Sequence, residues 1–427
     1  VSSLTNWQAN FKRRYGSFIN PLPSDNTIAK FAKFVQQDRR PGENYNFPVK
    51  VGMEHGMTAN TDGTAFALNA AVDSVLQNAQ LDGATLALVG NVPYDVAFKS
   101  NNGAGEGSTG GAFMRAFDLK IESLMESMEF YRELSLLYGC GTAAAAAANI
   151  GVVNASVSGA NLAAPQVINL TRASWAPGIW NLMIGGLVDI YQSNATTVRD
   201  TGVTVQAIDA TQARLTLFKT ASVAVVAAND VIVPAGWRTK TCYGLQALLE
   251  NTGTILNINA ATYAMWKAMT YAVGGPLGRA KLLQMAARLY PNGLRGGGAL
   301  YVNGMTFAEL AEEADALQRY TGNTDEVKRQ GAESLLYKSP IGNIEVNVHT
   351  FMKQGVAMFF KHGVVKRVGS TDVTFRGDGP NDWFFLELPS NAGYQLRVMS
   401  NQAPVMEIPY HCAILTGISN TGDITPA

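Results

Sequence analysis

The sequence is poor in cysteine, poor in charge, and lacks the local motifs that chemistry usually needs. Cys140, Cys242 and Cys412 are the three cysteines of 427 residues. They lie far apart, which excludes a disulfide-stapled scaffold and suits a reducing compartment. Charged residues make up 15% of the chain, well under the roughly 25% of an ordinary globular domain. A surface covered by neighbours tolerates that, because charge is depleted from interface cores. Formal net charge is zero, so no global basic footprint for nucleic acid exists. No secretory signal pattern opens the sequence and no run of 18 apolar residues occurs, so neither export nor a membrane span is expected. The sequons at Asn154, Asn169 and Asn194 are then chance matches.

The four histidines, His55, His349, His362 and His411, share no ligand spacing. H-E-x-x-H, C-x-x-C and G-x-S-x-G are all missing. His349 reads as packed or hydrogen-bonded. His411 and Cys412 are neighbours in a predicted strand and point to opposite faces, which opposes a Cys–His pair. Asp372, Asp378 and Asp382 surround Gly377, Gly379 and Pro380 without EF-hand spacing, so a hairpin turn is expected before a calcium loop. No catalytic residue, metal or cofactor is assigned. Gly105-Glu-Gly-Ser-Thr-Gly110 matches G-x-G-x-x-G. Its lead-in, Lys99-Ser-Asn-Asn-Gly103, is polar where a dinucleotide site needs a buried strand. A hinge is expected, with a dinucleotide-dependent oxidoreductase using the Gly105–Gly110 loop as the alternative of a different class.

What is present is a long helix. From Gly103 to Tyr138 the glycine-rich turn runs into apolar residues at Phe113, Phe117, Ile121, Leu124, Met128, Tyr131, Leu134 and Tyr138. Those steps of three and four predict one buried face. Arg115, Asp118, Lys120, Glu122, Glu126, Glu129, Arg132 and Glu133 fill the other faces, and Gly139 and Gly141 can end the helix. Glu122, Glu126, Glu129 and Glu133 read as a solvated or partner-facing stripe.

Around this spine the organisation is uneven. Residues 1–50 carry eight Lys/Arg (Lys12, Arg13, Arg14, Lys30, Lys33, Arg39, Arg40, Lys50) against Asp25, Asp38 and Glu43, a balance of +8 − 3 = +5. With Trp7, Phe11, Tyr15 and Phe18 they read as a basic, aromatic arm that lies on something else, with a short helix over Ile28 to Val35. Residues 47–102 read as a long two-stranded excursion with a short helix near Ala65 to Asn78. A hairpin that long needs a surface to pair with. Six alanines, Ala143 to Ala148, follow the spine and suit close helix packing. Residues 165–236 are β in character (Val167–Leu170, Leu182–Tyr191, Val203–Ile208, Arg214–Phe218, Val223–Val226, Val231–Val233) and suggest a small inserted sheet or barrel. Beyond Cys242 helices alternate with strands: Leu277 to Leu289, Ala299 to Asn303, Phe307 to Tyr320, then Ile344–Val348, Val356–Phe360, Val364–Val368, Trp383–Leu388, Tyr394–Met399 and Tyr410–Leu415.

In this order the chain resembles the major capsid proteins of tailed bacteriophages, the Hong Kong 97-type fold. The resemblance runs over most of residues 1–418. It is carried best by Asn229-Asp-Val-Ile-Val-Pro-Ala-Gly236, Tyr243-Gly244-Leu245, Trp266, helix Leu277–Leu289, strand Ala299–Asn303, helix Phe307–Tyr320 and Ile341-Gly-Asn-Ile-Glu-Val346. It implies an α+β, Hong Kong 97-like capsid fold. The parts would be an N-terminal arm (1–46), an extended loop (47–102), a spine helix and peripheral domain (103–164), a β-rich peripheral insertion (165–236), an axial domain (237–355) and the return strands of both domains (356–427).

The implied function is a non-enzymatic structural protein that self-assembles into the icosahedral head shell around double-stranded DNA. The implied partners are many copies of itself in hexamers and pentamers, packaged DNA on the inner face, a portal, and scaffolding or decoration proteins, with no membrane. The implied place is the virion, assembled in the host bacterial cytoplasm. Candidate subunit-interface residues are Trp7, Phe11, Arg13, Arg14, Arg39, Arg40, Glu54, Lys99, Glu122, Glu126 and Glu129. Some members of the family join Lys to Asn between subunits. Lys99 lies near Asn101 and Asn102, but no motif carries that chemistry over. An encapsulin-like compartment shell is the alternative within the same fold.

Overall fold

In a computed structural model the chain is a mixed α+β protein. The structure describes residues 28–36, 45–60, 62–63, 65–81, 83–93, 110–141, 149–158, 161–194, 196–319, 334–375, 386–387 and 393–425, with the side chains of 36, 93, 110–119, 158, 314–319, 334 and 386–387 left aside.

Along the chain come α1 (Ile28–Phe31), β1 (Lys33–Gln36), β2 (Tyr45–Lys50), β3 (Leu76–Leu81) and β4 (Ala84–Pro93). The long helix α2 (Gly110–Tyr138) is next. Then follow β5 (Gly151–Ser158), β6 (Gln166–Leu170), α3 (Pro177–Leu182), β7 (Leu187–Tyr191), β8 (Val198–Asp209), β9 (Arg214–Phe218) and β10 (Val231–Pro234). The remainder holds α4 (Leu245–Leu249), β11 (Thr254–Ile255), β12 (Ile258–Asn259), β13 (Met269–Gly275), α5 (Arg279–Leu289), β14 (Gly298–Val302), α6 (Gly304–Arg319), β15 (Ser334–Ser339) and β16 (Gly342–Val348). It ends with β17 (Val356–Lys361), β18 (Val365–Phe375), β19 (Leu386–Glu387), β20 (Gly393–Met406) and β21 (Ala413–Ile418).

The 29 residues of α2 span about 43 Å at 1.5 Å per residue. From Ile121 on, the apolar stripe does what its spacing predicts: Leu124, Met128, Leu134 and Tyr138 are buried, and Ile121 and Tyr131 are half-buried, while the side chains of Phe113 and Phe117 lie outside those described. Leu124 and Met128 pack with Val92 of β4 and with Phe375, Leu396 and Val398. That contact seats the helix on a sheet in the order β1-β18-β20-β19, with β4 also paired to β20. From Arg132 onward the helix is buried on every side. Gly139 and Gly141 terminate it. A Cβ at Gly139 would sit 2.3 Å from the Cys242 carbonyl oxygen, and Gly141 adopts φ +69° and donates its N–H to that same carbonyl. Only glycine permits this crossing of two backbones.

The β-rich region is a closed six-stranded barrel, β10-β5-β6-β9-β8-β7. It opens with Gly151, ahead of the expected 165, because the small, polar Gly151–Ser158 segment carries little strand signal of its own. Its interior is filled by Val153, Ile168, Leu170, Val188, Ile190, Val203, Val205, Leu215 and Leu217, all fully buried. It is therefore a packed core with no lumen. The second large sheet is β13-β21-β17-β14-β16-β15. Parallel pairs β13/β21 and β14/β16 flank the antiparallel β17. Its inner face packs Leu300, Val302, Ile344, Val346 and Phe359 against Leu282, Met285 and Leu289 of α5 and Leu310 of α6.

Several local expectations need correction. Residues Ala65 to Asn78 form no helix. They run extended, with Asn69 N–H donating to Thr58 Oγ1, a bridge between His55 and Val72, and Leu76 opening β3. Cross-hairpin bonds hold them at Asn69, Val72 and Val75, and residues 65–71 are exposed. The expected helix over Ile28 to Val35 is the single turn α1 followed by β1, which pairs in parallel with β18. Of Leu182–Tyr191, Leu182 is the last residue of helix α3, a turn at Ile184-Gly185 follows, and only Leu187–Tyr191 is strand, β7. Val223–Val226 is extended without joining the barrel ladder. Tyr410–Leu415 begins within the 3₁₀ turn Pro409–His411 before β21. Asp372 lies inside β18 and not at a turn. The six alanines, the Gly103–Thr109 turn, Asp378, Asp382 and Trp383 lie outside the described residues.

Candidate functional site

Three features of this scaffold can do something for function: segment 28–36, the enclosed end of α2, and the tip of the β2–β3 hairpin.

In segment 28–36, Ile28, Ala29 and Ala32 are buried, and Phe31 stacks edge-on to Tyr301 at 5.7 Å with Phe360 and His362 beside it. The backbone ends of this short turn are met by charge from far along the chain. Glu133 Oε1 accepts the Ile28 N–H at 2.6 Å, and its Oε2 accepts the Ala29 N–H at 3.2 Å. Charge-assisted bonds to free N-terminal amides are among the stronger neutralisations a buried carboxylate finds. His349 Nε2 lies 2.9 Å from Glu133 Oε1, and its Nδ1 accepts the Phe351 N–H at 3.1 Å. That second bond places the proton on Nε2, which donates to the carboxylate. At the other end Arg367 Nε donates to the Ala32 carbonyl at 2.9 Å. The same guanidinium donates to Asp372 at 2.7 Å and Gln402 at 2.8 Å, and Arg132 donates to Asp372 at 3.1 Å.

The end of α2 carries a second polar centre. Lys353, 2% exposed, donates to the Asn149 carbonyl at 2.7 Å, to Asn149 Oδ1 at 3.3 Å and to Gln246 Oε1 at 3.1 Å. Its ammonium sits 4.3 Å from the centre of the Tyr138 ring, whose hydroxyl donates to the Phe351 carbonyl. Burial pushes the amine down to about 7, opposed by the Glu250 carboxylate beyond Gln246.

The hairpin is rooted by Tyr45, Ala79 and Leu81, which are buried, and by Gln80 N–H donating to the Leu256 carbonyl. Its outer part, residues 51–76, is different. Met57 is 87% exposed, Leu68 79%, Met53 73%, and Phe66, Val72 and Leu76 are exposed with them. Seven large apolar side chains on one protruding element, Val75 included, form the kind of concentration that marks an interaction site.

The sequence-predicted interface residues divide accordingly. Glu54 is exposed on the hairpin, Glu122 and Glu126 are exposed on α2, and Glu129 is half-buried beside them. Burial raises the Glu129 carboxyl above its ordinary range, opposed by Arg132. Trp7, Phe11, Arg13, Arg14, Arg39, Arg40 and Lys99, with Asn101 and Asn102, lie outside the described residues. Glu133 was expected in the solvated stripe and is instead buried, because two amides and an imidazole converge on it. The sequence carries no sign of that, since its partners are about one hundred and two hundred positions away.

His349 is buried and hydrogen-bonded, as read from the sequence. His411 and Cys412 do not pair. His411 Nε2 meets the Asn292 carbonyl, while the Cys412 thiol is buried and pushed up to about 12. The Cys140 and Cys242 thiols are likewise pushed up to about 11 by burial, which makes them poor nucleophiles. Among the described residues no group of three or more His, Cys, Asp or Glu is placed to hold a metal. No helix of the described residues is long and apolar enough to cross a membrane.

No family model matches the chain, and no curated protein matches it. Solved structures resemble it across nearly the full length. The capsid asymmetric unit of cyanophage A-1(L) is 11% identical, covering 93% of this chain and 95% of that one at a TM-score of 0.49. The capsid of a native GTA particle is 6% identical, covering 95% and 97% at 0.44. The SrpI encapsulin of Synechococcus elongatus is 8% identical, covering 93% and 89% at 0.38. All three TM-scores are under 0.5.

Proposed function

We propose that the chain is the repeating subunit of a closed protein shell, a tailed-phage-type major capsid protein that acts by assembly and carries out no reaction. The observation that carries this reading is the hairpin tip. Residues 51–76 hold seven exposed large apolar side chains on an element whose root is firmly docked. A monomer gains nothing from that arrangement, whereas a neighbouring copy can cover it. A shell repeats one heterologous contact until it closes, so one protruding element per subunit suffices. The long α2, the barrel and the six-stranded sheet supply the rigid plate that such a contact joins, in the order expected of spine helix, peripheral insertion and axial domain. The partners of this reading are further copies in hexamers and pentamers, DNA on the inner face, and portal and scaffolding proteins. The place of action is the virion.

Sedimentation and negative-stain microscopy of the natively expressed chain, with its scaffold supplied, test the proposal. Megadalton closed particles support it, and nucleic acid inside distinguishes a phage head from a compartment that holds protein cargo. Deleting residues 56–64 should leave a folded subunit that forms no particles. Normal particles from that deletant, or a small discrete oligomer from the intact chain with scaffold present, would refute it.

A further inference from the structure

Segment 28–36 is held by a clasp built from side chains of three distant segments. Segment 28–36 makes four kinds of contact with the rest of the molecule. Its first two amides donate to Glu133, its Ala32 carbonyl accepts from Arg367, its Phe31 ring enters the box of Tyr301, Phe360 and His362, and Lys33–Gln36 pair in parallel with Lys366–Gly369. The charges are ordered: a carboxylate meets the amide end of α1 and a guanidinium meets the carbonyl end, as the peptide dipoles of the turn demand. The gripping residues are themselves held. His349 donates to Glu133, and Asp372 joins Arg367 to Arg132, the neighbour of Glu133 on α2. Glu133 is 3% exposed and Arg367 6%, so neither charge is left to water.

We infer that Glu133 and Arg367 form a docking site for segment 28–36, fixing in each subunit the point and direction from which the arm reaches a neighbouring copy. The consequence for assembly rests on the shell reading; the docking itself does not. The segment is short and its helical turn has one intrahelical bond's worth of structure, Ala32 N–H to the Ile28 carbonyl. It cannot hold this shape alone. Its order is conferred by the clasp, and the barrel and the six-stranded sheet contain none of its residues.

Hydrogen exchange by mass spectrometry on the purified full-length chain tests this, using Glu133→Gln and, from the arm side, Phe31→Ala. Glu133→Gln keeps the size and turns one acceptor into a donor facing donors. Phe31→Ala leaves α2 untouched if the Gln variant does not fold. Exchange over residues 28–36 should quicken about 10- to 100-fold, the worth of one charged hydrogen bond, while the strands of the barrel keep their wild-type rates. Particle yield should fall in the same variants. Unchanged protection of 28–36 in both variants overturns the docking site. Lost protection with wild-type particles overturns its role in aiming the arm. A wild-type chain that forms no particles with scaffold present speaks against the shell reading alone, and the exchange result still decides the clasp.

Discussion

Lys353→Met should abolish a rise in stability that the wild-type protein shows between pH 7 and pH 8.5. The amine is fully enclosed at the end of α2, and its partners among the described residues are neutral: two oxygens of Asn149, the Gln246 amide oxygen and the Tyr138 ring. Burial brings it from 10.5 to about 7. The folded chain therefore sheds this proton near neutrality, whereas the unfolded chain keeps it to about pH 10.4. Where the unfolded state binds more protons, stability rises with pH. The burden of the buried charge is full below pH 7 and is relieved progressively above it. Over the whole interval the shift of 10.5 − 7 = 3.5 corresponds to about 5 kcal/mol, and between pH 7 and 8.5 to about 1.5 kcal/mol.

The window stops at 8.5 for a reason. Cys140 and Cys242 are held near 11 against a usual 9, and Cys412 near 12. Above pH 9 the unfolded thiols ionise first and stability falls again. Urea midpoints at the two pH values, multiplied by the slope of each transition, give the free-energy change. The wild type should gain about 1.5 kcal/mol more than Lys353→Met, because the early ionisation of the unfolded thiols is common to both. The methionine fills the same channel, so the pH slope isolates the amine. A flat wild-type profile, or an equal rise in the Met variant, would refute a buried amine that titrates near neutrality.

Two further predictions concern the same helix. Leu137→Ala, at a fully buried position, should cost about 2–5 kcal/mol in urea unfolding; a loss under about 1 kcal/mol would mean the end of α2 is loosely packed. Gly139→Ala places a methyl 2.3 Å from the Cys242 carbonyl oxygen and 2.6 Å from that of Ser135. It should lower stability by at least about 1–3 kcal/mol, and wild-type stability would show that the crossing strand shifts freely.

The sequence disclosed what periodicity can carry. The stripe from Ile121 to Tyr138 predicted the buried face of α2, and Gly139 and Gly141 marked its end, because helix spacing and chain termination are local. Leu277 to Leu289 and Ala299 to Asn303 were legible for the same reason. The hairpin tip departs from the helix expected: Ala65-Phe-Ala-Leu-Asn-Ala-Ala71 has good helix propensity, and propensity is a weak prior that tertiary context overrides. The first barrel strand was missed because half of Gly151–Ser158 faces solvent. The roles of Glu133 and Arg367 were beyond local reading altogether. A glutamate one helical turn beyond Glu129 and two beyond the exposed Glu126 looks like another surface charge until Ile28, Ala29 and His349 are folded against it. The residue that caps α5 shows the same thing: Glu313 accepts the Arg279 N–H from a helix that follows it.

The enclosure of the far end of α2 also sets a timetable for synthesis. Its contacts span 213 residues from Tyr138 to Phe351, 216 from Glu133 to His349 and 240 from Arg132 to Asp372. Ribosomes add about 5–20 residues per second, so the last of these partners emerges on the order of 10–50 s after the helix that awaits it. Through that interval the helix carries a guanidinium and a carboxylate with nothing to answer them, beside Leu134, Leu136 and Leu137 still open to solvent. Contact order this high makes for slow folding and for a nascent chain prone to associate before it is finished. The subunit is thus most vulnerable to premature contact with its own kind during the very minute in which it is made.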